Sequence, residues 1–292
     1  MTAPDAQTAG HRLGHALAQW RQWQCAPPLS AAPELEGAFD AGVSNYSFLV
    51  ASEGQRFVVR VDGVKSSRHG LSRSAELQIL RSAHGAGIAP PACYFNPDLG
   101  VLVTAYLPPD SDQSVPAEEL ARLLRQIHAL PPRHYRLDLA ERLARYQGQL
   151  QGASLAPLSA LQQESIEYCL HNCREDSPPL LCHNDLVPAN LLRCNGSLYA
   201  LDWEYSAMGN PFFDIAGAAL GQGLATGQDR ALLDAYLGAP ASAAQRAALQ
   251  RQRVLCRYIE LLWYLVEAEQ NAADAVLERH LPLLDSEVAA LA

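Results

Sequence analysis

His183-Asn184-Asp185-Leu186-Val187-Pro188-Ala189-Asn190 is followed, twelve residues after the Asn, by Asp202-Trp203-Glu204. It has the spacing H-x-D-x-x-x-x-N with a second acidic residue beyond the Asn. Phosphoryl transfer needs few protein groups of this kind. One carboxylate accepts the proton of an attacking hydroxyl, and an Asn and an Asp hold the Mg²⁺ that neutralises the phosphates. Asp185, Asn190 and Asp202 fit those three roles in that order. The bland reading is a surface loop in which Asp185 caps a turn and Asn190 ends a strand.

The intervening residues favour the first reading. Asn190-Leu-Leu-Arg-Cys194 and Ser197-Leu-Tyr-Ala-Leu201 are apolar runs on either side of Asn195-Gly196. That dipeptide favours a two-residue type I′ turn. Folding about it pairs Cys194 with Ser197 and brings Asn190 opposite Leu201, so that Asn190 and Asp202 meet at the open end of a hairpin. A cation held there must be hard, because only carboxylate and amide oxygens are on offer.

Composition narrows the class. With 292 residues, 49% hydrophobic and 18% charged, the chain can fill one large core or two lobes. A net charge of −9 argues against nucleic acid or an anionic membrane and favours a cationic small molecule. Seven Cys at irregular spacing indicate a reducing compartment. Cys169-x-His171-x-Cys173 reads as helix packing rather than a zinc site, since no second ligand pair follows at finger spacing. The N-terminus lacks a signal-peptide pattern, and no run reaches the ~20 apolar residues of a membrane span. A cytoplasmic protein is expected.

Along the chain, residues 11–23 have the pattern of a short amphipathic helix, and 35 to about 107 are β-rich. Phe48–Ala51 and Arg56–Val61 read as strands around Glu53-Gly54, residues 72–86 as a helix, and Cys93–Phe95 with Val101–Tyr106 as a further hairpin. Pro108-Pro109-Asp110 is the expected hinge. Helices are expected over 117–130, 138–151, 157–174, 229–237, 242–270 and 272–290. The division is a nucleotide-binding lobe over 1–107 and a catalytic, acceptor-binding lobe over 108–292.

Several residues of the first lobe are candidate ATP contacts. Ser44 and Asn45 precede the first strand, where a loop could approach phosphates or form a plain turn. Arg60 ends a strand and could hold phosphate oxygens bidentately; a solvated strand-end Arg is the alternative. Lys65 is a possible substitute. Glu76, on the following helix, could pair with Arg60 or stand exposed. Thr104, Ala105 and Tyr106 lie in a segment, Leu102–Leu107, that reads as the inter-lobe linker offering backbone groups to adenine.

Cys182–Asn190 and Leu201–Ala216 closely resemble the choline/ethanolamine kinases, especially the bacterial choline kinases, with thiamine kinase as near kin and the aminoglycoside phosphotransferases as the wider superfamily. Gly54–Arg60, Gly87–Pro90, Leu123–His128 and Glu260–Trp263 add looser matches, so the likeness runs from about 37 to 270. The resemblance implies an α+β, protein-kinase-like bilobal fold with a small β-rich N-lobe and a larger helical C-lobe. It implies ATP as donor, Mg²⁺ as cofactor and a small-molecule hydroxyl as acceptor. It carries Asp185 over as catalytic base, Asn190 and Asp202 as Mg²⁺ ligands and Arg60 as the phosphate contact. Asp214 matches a residue that braces the catalytic loop, and His183 of the loop is likewise structural.

A quaternary ammonium acceptor would be held by aromatic faces and carboxylates. Glu204, Tyr205, Trp263 and Tyr264 are the candidates. In choline kinases the helix resembling Arg257–Gln270 often carries two Trp at i and i+3; here Trp263 is followed by Val266. The expected activity is phosphorylation of a choline- or ethanolamine-like amino alcohol, with thiamine kinase and an aminoglycoside-type antibiotic phosphotransferase as alternatives. Asn184 where regulated protein kinases carry Arg, and the lack of Gly after Asp202-Trp203, argue against control by activation-loop phosphorylation.

Overall fold

A computed structural model describes residues 3–39, 45–63, 70–150, 158–173, 177–225, 227–268 and 272–291. It falls into two compact units. The first comprises Met1–Ser111 with Arg193–Glu204, the second Asp112–Leu192 with Tyr205–Ala292. Ser44 and Lys65 lie outside the described residues.

The first unit starts with helix α1 (Ala3–Ala18), which begins earlier than its apolar stripe suggests. In a first turn the missing N–H of Pro4 costs nothing. Strands β1 (Glu34–Ala38), β2 (Asn45–Ser52), β3 (Gln55–Asp62), β4 (Ala92–Asn96) and β5 (Val101–Ala105) form one antiparallel sheet in the order β1-β2-β3-β5-β4, and helix α2 (Arg73–Gly85) connects β3 to β4. Side chains alternate along a strand. Phe57, Val59 and Val61 of β3 therefore share one face, packed with Trp23, Val50, Val103 and the α1 residues Ala9, Leu13 and Ala16. Arg60 is consigned to the other face.

Both expected tight turns are present. Glu53 and Gly54 have φ of 52° and 80°, and Asn195 and Gly196 have φ of 50° and 73°. Positive φ at both central residues is what a type I′ turn requires. The second turn joins β7 (Leu191–Cys194) to β8 (Ser197–Ala200); strand β6 (Leu180–Cys182) precedes them. Most of this hairpin belongs with the first unit, whereas the sequence division at 107/108 put it with the second. The Asp110 carboxylate accepts the N–H groups of Asn195 and Gly196 at 2.9 and 2.8 Å, and Ala200 donates to Ile88 O at 2.9 Å.

The second unit is built on helices. These are α3 (Ala117–His128), α4 (Leu139–Gln149), α5 (Ala160–Asn172), α6 (Pro211–Gly221), α7 (Arg230–Leu237), α8 (Ala243–Glu267) and α9 (Ala273–Ala289). Strand β9 (Ala207–Gly209) pairs antiparallel with β6. Ser159 with Gln162 and Ser242 with Gln245 make reciprocal capping boxes that fix the starts of α5 and α8. The 25-residue α8 is the axis, packed against α4, α5, α6 and α9. Leu143, Tyr146, Ile166, Leu255, Leu262 and Leu284 belong to the core around it. Helix α6 was not expected from the sequence. Pro211, Phe212, Phe213, Ile215, Ala216, Ala218 and Ala219 are all buried, so the helix has no polar stripe to betray its period. Asn210 caps it, accepting from Phe212 N, and Pro211 fits the first turn.

Candidate active site

In the second unit the loop between β6 and β7 carries Asp185. Asn184, just before it, holds φ at 64°, a conformation that costs a non-glycine residue energy and must be enforced by its neighbours. The enforcement comes from α6. The Asp214 carboxylate, 1% exposed, accepts the main-chain N–H groups of His183 and Asn184 at 2.8 Å each. His128 Nε2 meets the same carboxylate at 3.1 Å, and its Nδ1 lies 2.7 Å from the Tyr236 hydroxyl. Burial alone would raise the Asp214 pKa, but the His128 contact, with the charge and amide of His183, holds it below the usual carboxylate value. The Asn184 amide donates to Tyr205 O at 3.0 Å. The loop is thus pinned at the two residues before the half-buried Asp185.

Asp185 itself is oriented from within the loop. Asn190 donates its amide N–H to the Asp185 carboxylate at 2.8 Å and to the Asp185 carbonyl at 2.9 Å. In a planar amide this turns the Asn190 carbonyl oxygen away from Asp185. A carboxylate so held can accept a proton from a hydroxyl brought beside it.

Tyr205, Trp263 and Tyr264 come together nearby in this unit. Trp263 Nε1 donates to the Tyr205 hydroxyl at 3.0 Å, and the Trp263 and Tyr264 rings meet edge to face at 4.9 Å. Trp263 is partly buried against the α8 core, and Tyr264 rests on His280 at 4.6 Å. Arg142 of α4 places its guanidinium 5.3 Å from the Tyr205 ring centroid. One turn on, burial pushes the Tyr146 phenol up; Arg142 and Arg145 oppose the shift while Glu267 and Asp185 add to it. Val266, where a second cage Trp would stand, is buried in the core.

The first unit holds a buried charge network on the sheet face opposite α1. Arg60, 8% exposed, reaches Glu76 at 2.6 and 2.9 Å and also bonds the Asp202 carboxylate. Glu76 is 2% exposed, so it is the partner of Arg60 and not a surface residue. Arg73, in the first turn of α2, donates to Asp62 at 2.8 Å, to Glu76 at 3.0 Å and to Glu204 at 2.7 Å. Asn45 donates to Glu204 at 3.0 Å. Burial opposes the charge on Arg60, but Glu76, Asp202 and Glu204 raise its pKa well above the usual value. Glu204 is held low despite its burial by Arg60 and Arg73, whereas at Asp62 burial wins and the pKa is raised. Asp202 sits at φ 57°, a second enforced left-handed residue.

Two expectations change here. Glu204, 3% exposed and bonded to Arg73 and Asn45, belongs to this network and is not offered to an acceptor cation. Thr104 and Ala105 lie within β5, and the N–H groups of Ala105 and Tyr106 are taken by Pro91 O at 3.1 Å and Arg56 O at 3.0 Å. The linker therefore starts later than Leu102, and those two N–H donors are occupied within the sheet. Arg73, Arg142 and His128 belong to these contacts, and sequence reasoning left them without a role. Arg73 had a signal, its i,i+3 spacing to Glu76.

Asn190 in the second unit and Asp202 in the first each offer an oxygen donor, an amide and a carboxylate, of the kind that suits a small hard cation. Among the described residues, His128, Cys182 and Asp214 also lie within 4.8 Å of one another. That trio is bound up in bracing the loop, with burial holding the Cys182 thiol in its neutral form.

A sequence profile of the phosphotransferase enzyme family matches residues 37–249. The chain belongs to this family. It is 32% identical over 205 residues to a thiamine kinase of Escherichia coli, covering 68% of this chain and 69% of that enzyme. To the protein LicA of Haemophilus influenzae it is 26% identical over 190 residues, covering 60% and 55%. The choline kinase LicA of Streptococcus pneumoniae shares the fold, with a TM-score of 0.72 at 19% identity over 88% of this chain and 94% of that one. This member of the family is accordingly a small-molecule kinase with a mixed α/β, kinase-like fold. Among the described residues no helix is long and apolar enough to cross a membrane.

Proposed function

We propose that this kinase transfers the γ-phosphoryl group of ATP to the hydroxyl of a small hydroxylated amine, with an acceptor of thiamine's class ahead of choline. The observation that carries the reading is the fixing of Asp185. Asn190 orients its carboxylate, and Asp214 pins the two residues before it. Asp185 takes the proton of the acceptor hydroxyl as that oxygen bonds to the γ-phosphorus. The bond to the β,γ-bridging oxygen breaks in line, and ADP leaves. Arg60, steadied by Glu76, holds the donor phosphates; residues 1–107 serve as the nucleotide lobe together with the hairpin residues 193–204, and the rest of 108–292 as the acceptor lobe. Asn190 and Asp202 would hold Mg²⁺, which when bound supplies charge neutralisation on the phosphates. All seven cysteines are free, which with the ATP requirement favours the cytoplasm.

The choice of acceptor follows from the aromatic group. A compact quaternary ammonium needs open ring faces on several sides. Here Arg142 covers one face of Tyr205, Trp263 is tied to the Tyr205 hydroxyl, and Val266 is turned into the core. Glu204 is spent on Arg73. What remains suits a flat heteroaromatic alcohol, whose rings can lie along Trp263 over more area than a compact ammonium covers. The similarity to thiamine kinase over two thirds of both chains supports the same choice. Measuring kcat/KM for thiamine, choline, ethanolamine and an aminoglycoside tests it. Thiamine should lead; a clear lead for choline would overturn the acceptor class while leaving the kinase reading intact.

A further inference from the structure

A cavity of about 320 Å³ in the helical unit takes no part in the reaction proposed above. It lies where α5, the start of α7, the first half of α8 and the end of α9 converge. Three arginines line it, Arg230, Arg246 and Arg251. Tyr168, Leu233 and Leu291 give it an apolar wall.

The carboxylate in the lining is already engaged. Asp229 accepts from Arg253 Nη1 at 3.0 Å and from Gly227 N at 3.1 Å. Arg253, 1% exposed, also holds Glu287 at 2.7 and 2.8 Å. Arg253 is thus neutralised by Asp229 and Glu287, whereas Arg230 and Arg246 stand exposed at the cavity, where Arg246 also donates to Ala241 O. Asp229 also stands at the N-cap of α7 but makes no side-chain bond to the helix, because its oxygens are spent on Gly227 and Arg253. The α7 N-terminus therefore opens at the cavity without a side-chain cap, adding partial positive charge to the arginines.

We propose that this cavity binds a small organic phosphate, a dianionic monoester whose organic group rests on Tyr168 and the neighbouring leucines. Arg246 and Arg230, exposed at the mouth, would grip the phosphate oxygens; guanidinium forks suit that geometry. The apolar wall would favour an ester over inorganic phosphate. The inference is independent of which alcohol the kinase phosphorylates.

Isothermal titration calorimetry on the full chain tests it, with phenyl phosphate and inorganic phosphate as probes. Phenyl phosphate should bind wild type more tightly than inorganic phosphate. Its affinity should fall about tenfold or more in Arg230→Ala/Arg246→Ala, with partial recovery in Arg230→Lys/Arg246→Lys. Both positions are exposed, so melting temperatures should stay close to wild type; if the alanine variant is destabilised, the glutamine pair replaces it. Equal binding in wild type and the double variant, or no binding in wild type, overturns the site. Equal affinity for the two probes overturns the organic ligand.

Discussion

Asn190 grips Asp185 twice, through the carboxylate at 2.8 Å and through the main-chain carbonyl at 2.9 Å. One side chain thereby orients the proposed base and leaves its own carbonyl oxygen turned away from it, available for the metal role proposed above. Asn190→Ala should release both functions. Turnover should drop by about 10²-fold or more, and the Mg²⁺ concentration for half-maximal rate should rise. A lower kcat with an unchanged Mg²⁺ dependence would leave Asn190 as an orienting residue only.

Arg60 lies buried among Glu76, Asp202 and Glu204. Removing it strands carboxylates that burial penalises. Arg60→Met should cost about 3–5 kcal/mol of stability, read from urea unfolding, and should weaken ATP binding. Glu76→Gln should cost less, since the amide still accepts from Arg60. Near-wild-type stability for Arg60→Met would mean that the network contributes little.

Gly221 ends α6 against the catalytic loop. A Cβ there would sit 3.1 Å from Val187 Cα and 3.2 Å from Leu186 O, both main-chain atoms. Gly221→Ala should therefore push the loop that carries Asp185. We expect kcat to fall about tenfold with KM nearly unchanged. Wild-type kcat would show that the loop yields at no cost.

Arg142 over Tyr205 and Val266 in the core are the two features that count against a quaternary ammonium cage. Arg142→Ala should raise kcat/KM for choline relative to thiamine by about tenfold, the worth of one freed cation–π face. No change in that ratio would mean that Tyr205 does not meet the acceptor.

Acid should unfold the protein through particular carboxylates. Asp214, Glu204 and Glu287 are buried yet held below their ordinary values of 3.8, 4.5 and 4.5 by His128, by Arg60 with Arg73, and by Arg253. A depressed folded pKa contributes stability that is present above the unfolded value and is lost as pH falls toward the folded one. The urea midpoint should decline steeply below about pH 4.5, and less steeply in Glu204→Gln. A parallel decline in both proteins would clear Glu204 of the effect.

What could be read from sequence was local. The turns at Glu53-Gly54 and Asn195-Gly196, the loop that carries Asp185 and eight of the nine helices among the described residues announce themselves through short-range chemistry and period. Helix α6 did not, because apolar residues surround it on every side. The network around Arg60 was half legible: Glu76 follows on the next helix, but Arg73 and Glu204 are 131 residues apart and meet only after folding. Glu204 misled because it adjoins Tyr205. In the tight turn Trp203–Tyr205, successive side chains diverge by ~120°, so neighbours in sequence serve different surroundings. Trp203 goes to the core, Glu204 to Arg73 and Tyr205 to Trp263. Arg142 and Gly221 carry no motif at all; their importance comes from what they approach.

The most direct measurement is transfer of radiolabelled γ-phosphate from ATP to thiamine, with Mg²⁺, by wild type and Asp185→Asn. Wild type should yield a labelled phosphate ester, and the variant a rate lower by orders of magnitude with ATP affinity retained. Comparable rates in the two proteins would contradict Asp185 as the base and, with it, the proposed mechanism.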